Sequence, residues 1–161
     1  MRILGVDCGS RITGYGVIES DGLRHRLIEA GTIHTSERVS MEQRLCSIGR
    51  RLREVIAEFK PDCAAVEDVF FSANARSAIK LAETRGVVLF VLADHGLAVG
   101  EYSPATVKQS VVGYGKAEKG QVQFMIPSLL DLDGPIASAD AADALAVAIC
   151  HATRISLGVS S

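Results

Sequence analysis

Four carboxylates stand where a fold can put them to chemical use. Asp7 closes the apolar run Ile3-Leu4-Gly5-Val6 and is followed at once by Cys8-Gly9-Ser10. Glu67 closes a second run, Ala64-Ala65-Val66. Asp140 and Asp143 lie three residues apart in an alanine-rich stretch, so on an α-helix they stand about 60° apart on one face. Each has an ordinary reading. Asp7 can hydrogen-bond the turn after it, Glu67 can be a solvated strand end, and the aspartate pair can be N-terminal acids favoured by the helix dipole. The combination points elsewhere. Two like charges ~4 Å apart repel by about 4 kcal/mol at an effective dielectric of about 20, so four carboxylates gathered together need cations. Oxygen donors alone select hard ions, Mg²⁺ or Mn²⁺, over zinc. A pair of such ions can activate water and stabilise the leaving oxygen of a phosphodiester, without a histidine base. His25, His34 and His95 have no acidic or thiol partner at ligand spacing. His151 falls about 80° round the helix from Asp143 and is expected at the surface or as a cap.

The elements that must carry these acids can be traced along the chain. Residues 2–7 and 13–20 read as strands, Asp21-Gly22 as a hairpin turn, and Leu23 to Ile33 as a third strand. Ser40 to Gln43 has capping-box spacing and opens an amphipathic helix with Leu45, Ile48, Leu52, Val55, Ile56 and Phe59 inward. Arg44, Arg50, Arg51 and Arg53 are read as its solvated face. Pro61 ends that helix, and Cys63 to Val66 is a short buried strand stopping at Glu67. A helix over about Asn74 to Asp94, weakened by Gly86, precedes a strand near Ala98 to Tyr102. Ser103-Pro104 starts the next helix, and Gly113 stops it. A lysine-bearing loop from Gly113 to Lys119 leads into a helix that Pro127 should kink, at a cost of about 3 kcal/mol. Ser138 caps the last helix, which runs through Ala152; residues 153–161 are expected to fray. Three antiparallel strands followed by strand–helix alternation imply one α/β domain with a mixed sheet, spanning residues 1–152.

Composition sets the outer bounds. At 161 residues and 48% hydrophobic content the chain can bury an ordinary core. No run reaches the ~18 apolar residues of a membrane helix, and Asp7 comes too early for a secretory apolar region, so a cytoplasmic protein is expected. Cys8, Cys46, Cys63 and Cys150 are scattered without zinc spacing and are read as buried free thiols. The net charge of −2 argues against a nucleic-acid partner, an argument that bound divalent ions would weaken.

The segment from Gly5 to Ile18 (Gly-Val-Asp-Cys-Gly-Ser-Arg-Ile-Thr-Gly-Tyr-Gly-Val-Ile) resembles the opening of the RuvC family of Holliday-junction resolvases. So, in order, do Val66 to Phe71, Ser77 to Leu81, Val107 to Gln109, Gly113 to Lys119 and Ala139 to Ala146. The resemblance implies a ribonuclease-H-like fold, with a five-stranded mixed sheet flanked by helices. It also implies a homodimer that nicks opposed strands of a four-way DNA junction in recombination and repair, alongside a RuvA–RuvB branch-migration complex. By position it makes Asp7, Glu67, Asp140 and Asp143 the catalytic acids for two Mg²⁺ per subunit, with Mn²⁺ as a substitute. Lys108, Lys116 and Lys119 become DNA contacts, and Phe70 an aromatic that stacks on a base. Otherwise the lysines are solvated and Phe70 and Phe71 are core. Cys8 replaces a usual proline, Ala82-Glu83-Thr84 a usual Gly-Gln-Ala, and Phe124 and Pro127 are atypical. The competing readings are a nucleotide-binding protein of the actin and sugar-kinase fold, or a non-catalytic ribosome-maturation factor. The first needs two domains and the second leaves Asp140, Asp143, Lys108 and Lys119 unexplained. The helix Asn74 to Asp94, rich in Val87, Val88, Leu89, Phe90 and Val91, is the expected dimer interface or else a buried core helix.

Overall fold

The computed structural model describes residues 1–68 and 74–158, so Phe70 and Phe71 lie outside the described residues. Its strands are β1 (Arg2–Asp7), β2 (Ile12–Ser20), β3 (His25–His34), β4 (Cys63–Glu67) and β5 (Ala98–Tyr102). The helices are α1 (Met41–Phe59), α2 (Ala75–Asp94), α3 (Pro104–Val112), α4 (Lys119–Leu129) and α5 (Ala139–Ser156). The strands form one mixed sheet in the order β3-β2-β1-β4-β5, with β1 antiparallel to β2 and parallel to β4. This is the expected ribonuclease-H-like arrangement.

Successive strand residues face opposite sides of a sheet, and here that alternation divides the core in two. Leu4, Val6, Tyr15, Val17, Ala64 and Val66 pack with Ile48, Leu52, Val55, Val88 and Leu92 of α1 and α2. Ile3, Ile18, Cys63 and Ala65 pack on the other side with Leu145, Ala148 and Ile149 of α5 and with residues of α3 and α4. By the same parity Asp7 and Glu67 belong to the α5 face.

That face is floored with small residues. A β-carbon at Gly5 would run into the Ala144 carbonyl oxygen, one at Gly14 into that of Asp140, and one at Gly16 into the Leu145 side chain. The backbone of α5 therefore lies directly on β1 and β2, and its N-terminal turn sits beside the end of β1. Ser138 caps that turn by accepting from the Ala141 amide.

Several local expectations need correction. Arg44 does not lie on a solvated face: it is buried, with its guanidinium on the Ser10 carbonyl and on Thr35 Oγ1 at 3.2 Å. His151 is neither surface nor cap; it is buried with Nδ1 2.7 Å from the Tyr102 hydroxyl. Cys46 is exposed, because it falls on the outer side of α1, and Cys8 is only half-buried. The last helix continues past Ala152 to Ser156, where Thr153 Oγ1 donates to the Ile149 carbonyl. Pro127 does lie inside a helix as expected, two residues before the end of α4.

Introducing a methyl at Gly14 forces α5 off the sheet. Gly14→Ala should cost about 1–3 kcal/mol, the range for an overpacked core, in denaturant unfolding. A change under about 0.5 kcal/mol would mean that α5 is not seated on that glycine.

Candidate active site at the strand ends

Asp7 and Glu67 end adjacent parallel strands, one register step beyond the Val6–Val66 pair. The turn after Asp7 is fastened from three sides. Thr13 Oγ1 donates to the Gly9 carbonyl at 2.8 Å, Thr35 Oγ1 to the Ser10 carbonyl at 2.8 Å, and buried Arg44 reaches the same carbonyl. Glu67 is held through β4, whose last pairing sets it against Tyr102 of β5. Asp140 and Asp143 arrive from above on the first turns of α5.

Electrostatics shows that these groups share one region. Burial pushes the Asp7 carboxyl up to about 6, helped by the charges of Asp143 and Asp140 and opposed by Lys119. Burial pushes Glu67 up to about 7, with Asp7 and Asp143 adding and Lys119 and Lys108 opposing. Burial and the neighbouring Asp7 push the Cys8 thiol up to about 12.

The basic half of the site comes from α3 and α4. Lys119 Nζ lies 2.5 Å from Asp143 Oδ2, and that ion pair raises the lysine's own pKa. Gln123 Nε2 lies 3.1 Å from the other oxygen, Asp143 Oδ1. A cavity of about 220 Å³ opens here, lined by Glu67, Lys108, Lys119 and Asp143 with Val107 and Val122 among its apolar walls. Lys116 is exposed and does not line it. Lys119 opens a helix rather than ending a loop, and a cation at a helix N-terminus opposes the macrodipole. Asp143 offsets that cost. Gln123 and Arg44 escaped the sequence reading: an amide carries no charge pattern, and an arginine among arginines looks like a solvated one.

An all-oxygen donor set with two carboxyls held above their usual range suits a hard divalent ion. Among the described residues no three His, Cys, Asp or Glu side chains are drawn together in ligating geometry, since Asp143 is turned to Lys119 and Gln123.

Similarity to known proteins agrees with this geometry. Residues 3–151 match the family described as crossover junction endodeoxyribonuclease RuvC. The chain belongs to the RuvC family. The RuvC of Koribacter versatilis is 51% identical over 152 residues, covering 94% of this chain and 92% of that one. The Geobacter metallireducens RuvC is 54% identical with the same coverage. Among solved structures, Thermus thermophilus RuvC in complex with a Holliday junction substrate superposes with TM-score 0.94 at 33% identity, covering 100% of this chain and 98% of that one. The yeast mitochondrial Holliday junction resolvase Ydc2 matches at TM-score 0.67 and 11% identity, over 97% of this chain and 81% of that one, and shares the fold.

The raised pKa values fix a sign for pH dependence. Unfolded carboxyls titrate near 4, so between about pH 4 and 7 the folded chain holds protons that the unfolded chain has released. In that window Asp7 and Glu67 make stability fall as pH rises. His25 and His151, lowered by burial, act in the opposite direction, so the effect is read as a difference. In chelator, Asp7→Asn should melt increasingly above the parent as pH goes from 5 to 8, and Mg²⁺ should raise the parent's melting temperature most at pH 8. A parent-minus-variant difference that does not move with pH would contradict the crowding of acids.

Proposed function

We propose that this chain resolves four-way (Holliday) DNA junctions as a structure-selective, Mg²⁺-dependent endonuclease, making paired symmetric nicks during recombination and repair. The observation that carries this reading is the seating of Asp7, Glu67, Asp140 and Asp143 on one face of the sheet, beside a lysine-lined cavity, in a member of the RuvC family. The relatives named crossover junction endodeoxyribonucleases and the junction-bound Thermus thermophilus RuvC support the substrate.

In this reading the four acids hold two Mg²⁺, or Mn²⁺ in their place; when bound, the ions activate water and stabilise the leaving oxygen of the phosphodiester. The chain's own contribution is positional. β1 and β4 fix Asp7 and Glu67, α5 brings Asp140 and Asp143, and the ammonium groups of Lys108 and Lys119 face the charge that develops on the phosphate. Lys116 and Phe70 are assigned to DNA contact, the latter by base stacking. No helix among the described residues is long and apolar enough to cross a membrane. On the strength of family membership the protein is assigned to the cytoplasm, alongside a RuvA–RuvB branch-migration complex.

Loss of any one metal-binding acid should remove several kcal/mol of transition-state stabilisation, on the order of 10³-fold in rate. Asp7→Asn, Glu67→Gln and Asp140→Asn should each stop nicking of a synthetic mobile junction while junction binding in chelator survives, because affinity rests on phosphate contacts elsewhere. Near-parental nicking by any of the three would remove that residue from the catalytic set.

A junction with two-fold symmetry needs two cuts, and one chain carries one acidic site, so we assign a closed two-fold dimer. The expected apolar run of α2 divides: Val88 and Val91 are core, Val87 and Leu89 are half-buried, and Phe90 is 62% exposed. Phe90 shares an outer face with Ile79, 60% exposed, and with Gly86, over which the space is open. This face supports the dimer better than the valines do. Sedimentation at micromolar concentration should give about twice the chain mass for the parent and the single-chain mass for Phe90→Asp. A parent that remains monomeric even on a junction is incompatible with paired nicking.

A further inference from the structure

Asp143 is gripped at both oxygens by two residues of one helix face. Lys119 and Gln123 stand four apart on α4 and so project side by side. Lys119 Nζ covers Oδ2 at 2.5 Å and Gln123 Nε2 covers Oδ1 at 3.1 Å. The two partners differ in kind. The Lys119 side chain is 64% exposed on a flexible stem. Gln123 is half-buried, between the buried anchors Val122 and Ile126, and its Nε2 also lies 3.5 Å from the Ala139 carbonyl. Two acceptors on the same side, a carboxylate and a carbonyl, require the NH₂ end of the amide to face them.

We propose that Gln123 is a positioning residue for the acidic site: it holds one oxygen of Asp143 so that the oxygen now covered by Lys119 is the one offered to a divalent cation. The inference rests on the nuclease reading above. An ammonium and a divalent cation compete for the same carboxylate oxygen, because each supplies the positive charge that the crowded acids require. A neutral amide does not compete. Gln123 therefore stays in place when Lys119 is displaced, and the freed ammonium remains beside the cavity it lines. Without the amide, Asp143 is free to turn both oxygens toward Lys119, which strengthens the competitor and weakens the cation. Groups that orient a metal-binding side chain in this way typically change metal affinity by about 10–100-fold.

The test is a Mn²⁺ titration of the intact protein without DNA, followed by calorimetry and by the metal-induced rise in melting temperature. Gln123→Met keeps the length of the side chain and removes the donor. It should raise the half-saturating Mn²⁺ about ten-fold, while the melting temperature and junction binding in chelator change little. Adding Lys119→Met should bring the half-saturation back toward the parent value, since the competitor is gone. A Gln123→Met curve within two-fold of the parent overturns the proposal. So does a variant that only melts earlier with its metal curve unmoved, which is the behaviour of a packing residue. Parent protein that binds Mn²⁺ yet nicks no junction would sink the nuclease reading alone. Nicking by the parent with an unmoved Gln123→Met titration would sink only the role of Gln123.

Discussion

The contact between the backbone of α5 and the glycines of β1 and β2 is the constraint on which the site depends. A helix packed on a sheet through ordinary side chains stands well clear of the strands, and carboxylates on its first turn would sit far above the strand ends. Gly5, Gly14 and Gly16 remove that spacing, to the point where a single added methyl at Gly14 would strike the Asp140 carbonyl. The alanines of α5, among them Ala144 and Ala148, match from the other side. Large apolar side chains on this side of the sheet, among them Ile3, Ile18, Leu145 and Ile149, pack in one cluster with the small ones. The residues that bring the acids together are thus ones with almost no side chain.

Close packing creates an electrostatic cost that the rest of the site answers. Burial and mutual repulsion hold Asp7 and Glu67 well above ordinary carboxylates. The counter-charge comes from elements late in the chain, Lys108 on α3 and Lys119 at the start of α4, and both oppose the rise at Glu67. Lys119 would be a poor choice for a helix N-terminus on helix grounds alone. The cost of its position is offset by the partner it finds on α5, Asp143. Acids from the sheet and cations from α3 and α4 assemble only when segments more than a hundred residues apart in sequence have packed, so local sequence rules cannot account for the site.

Much of this was nonetheless legible from the residues. The carboxylates could be picked out because each ends or begins an element, and alternation along a strand puts Asp7 with Ile3 and Gly5, and Glu67 with Cys63 and Ala65, on one face. Element order and the antiparallel opening followed from turn chemistry at Asp21-Gly22, where the Asp21 carboxylate accepts from the Leu23 and Arg24 amides at 2.9 and 2.8 Å. Other features were not legible, for one recurring reason: they are polar groups whose partners are distant in sequence. Arg44 finds the Ser10 carbonyl 34 residues away, His151 finds Tyr102 49 away, and Gln123 finds Asp143 20 away. Periodicity places a side chain on a helix face but does not say which carbonyl or carboxylate will meet it there.

Arg85 shows how a distant polar partner ties a helix to the sheet beside the acids. It sits on α2, the helix whose outer face carries Ile79 and Phe90, but its own side chain is 14% exposed and turned toward the sheet. There its guanidinium pairs with Glu101 at the end of β5 and lies 3.6 Å from Asp68, with Nε 3.5 Å from the backbone carbonyl of Glu67. The Glu67 carboxyl draws its raised pKa from burial and the other acids, so Arg85 meets this strand end through its main chain and neighbours rather than through the carboxyl. One largely buried guanidinium thus joins α2 to the ends of both β4 and β5.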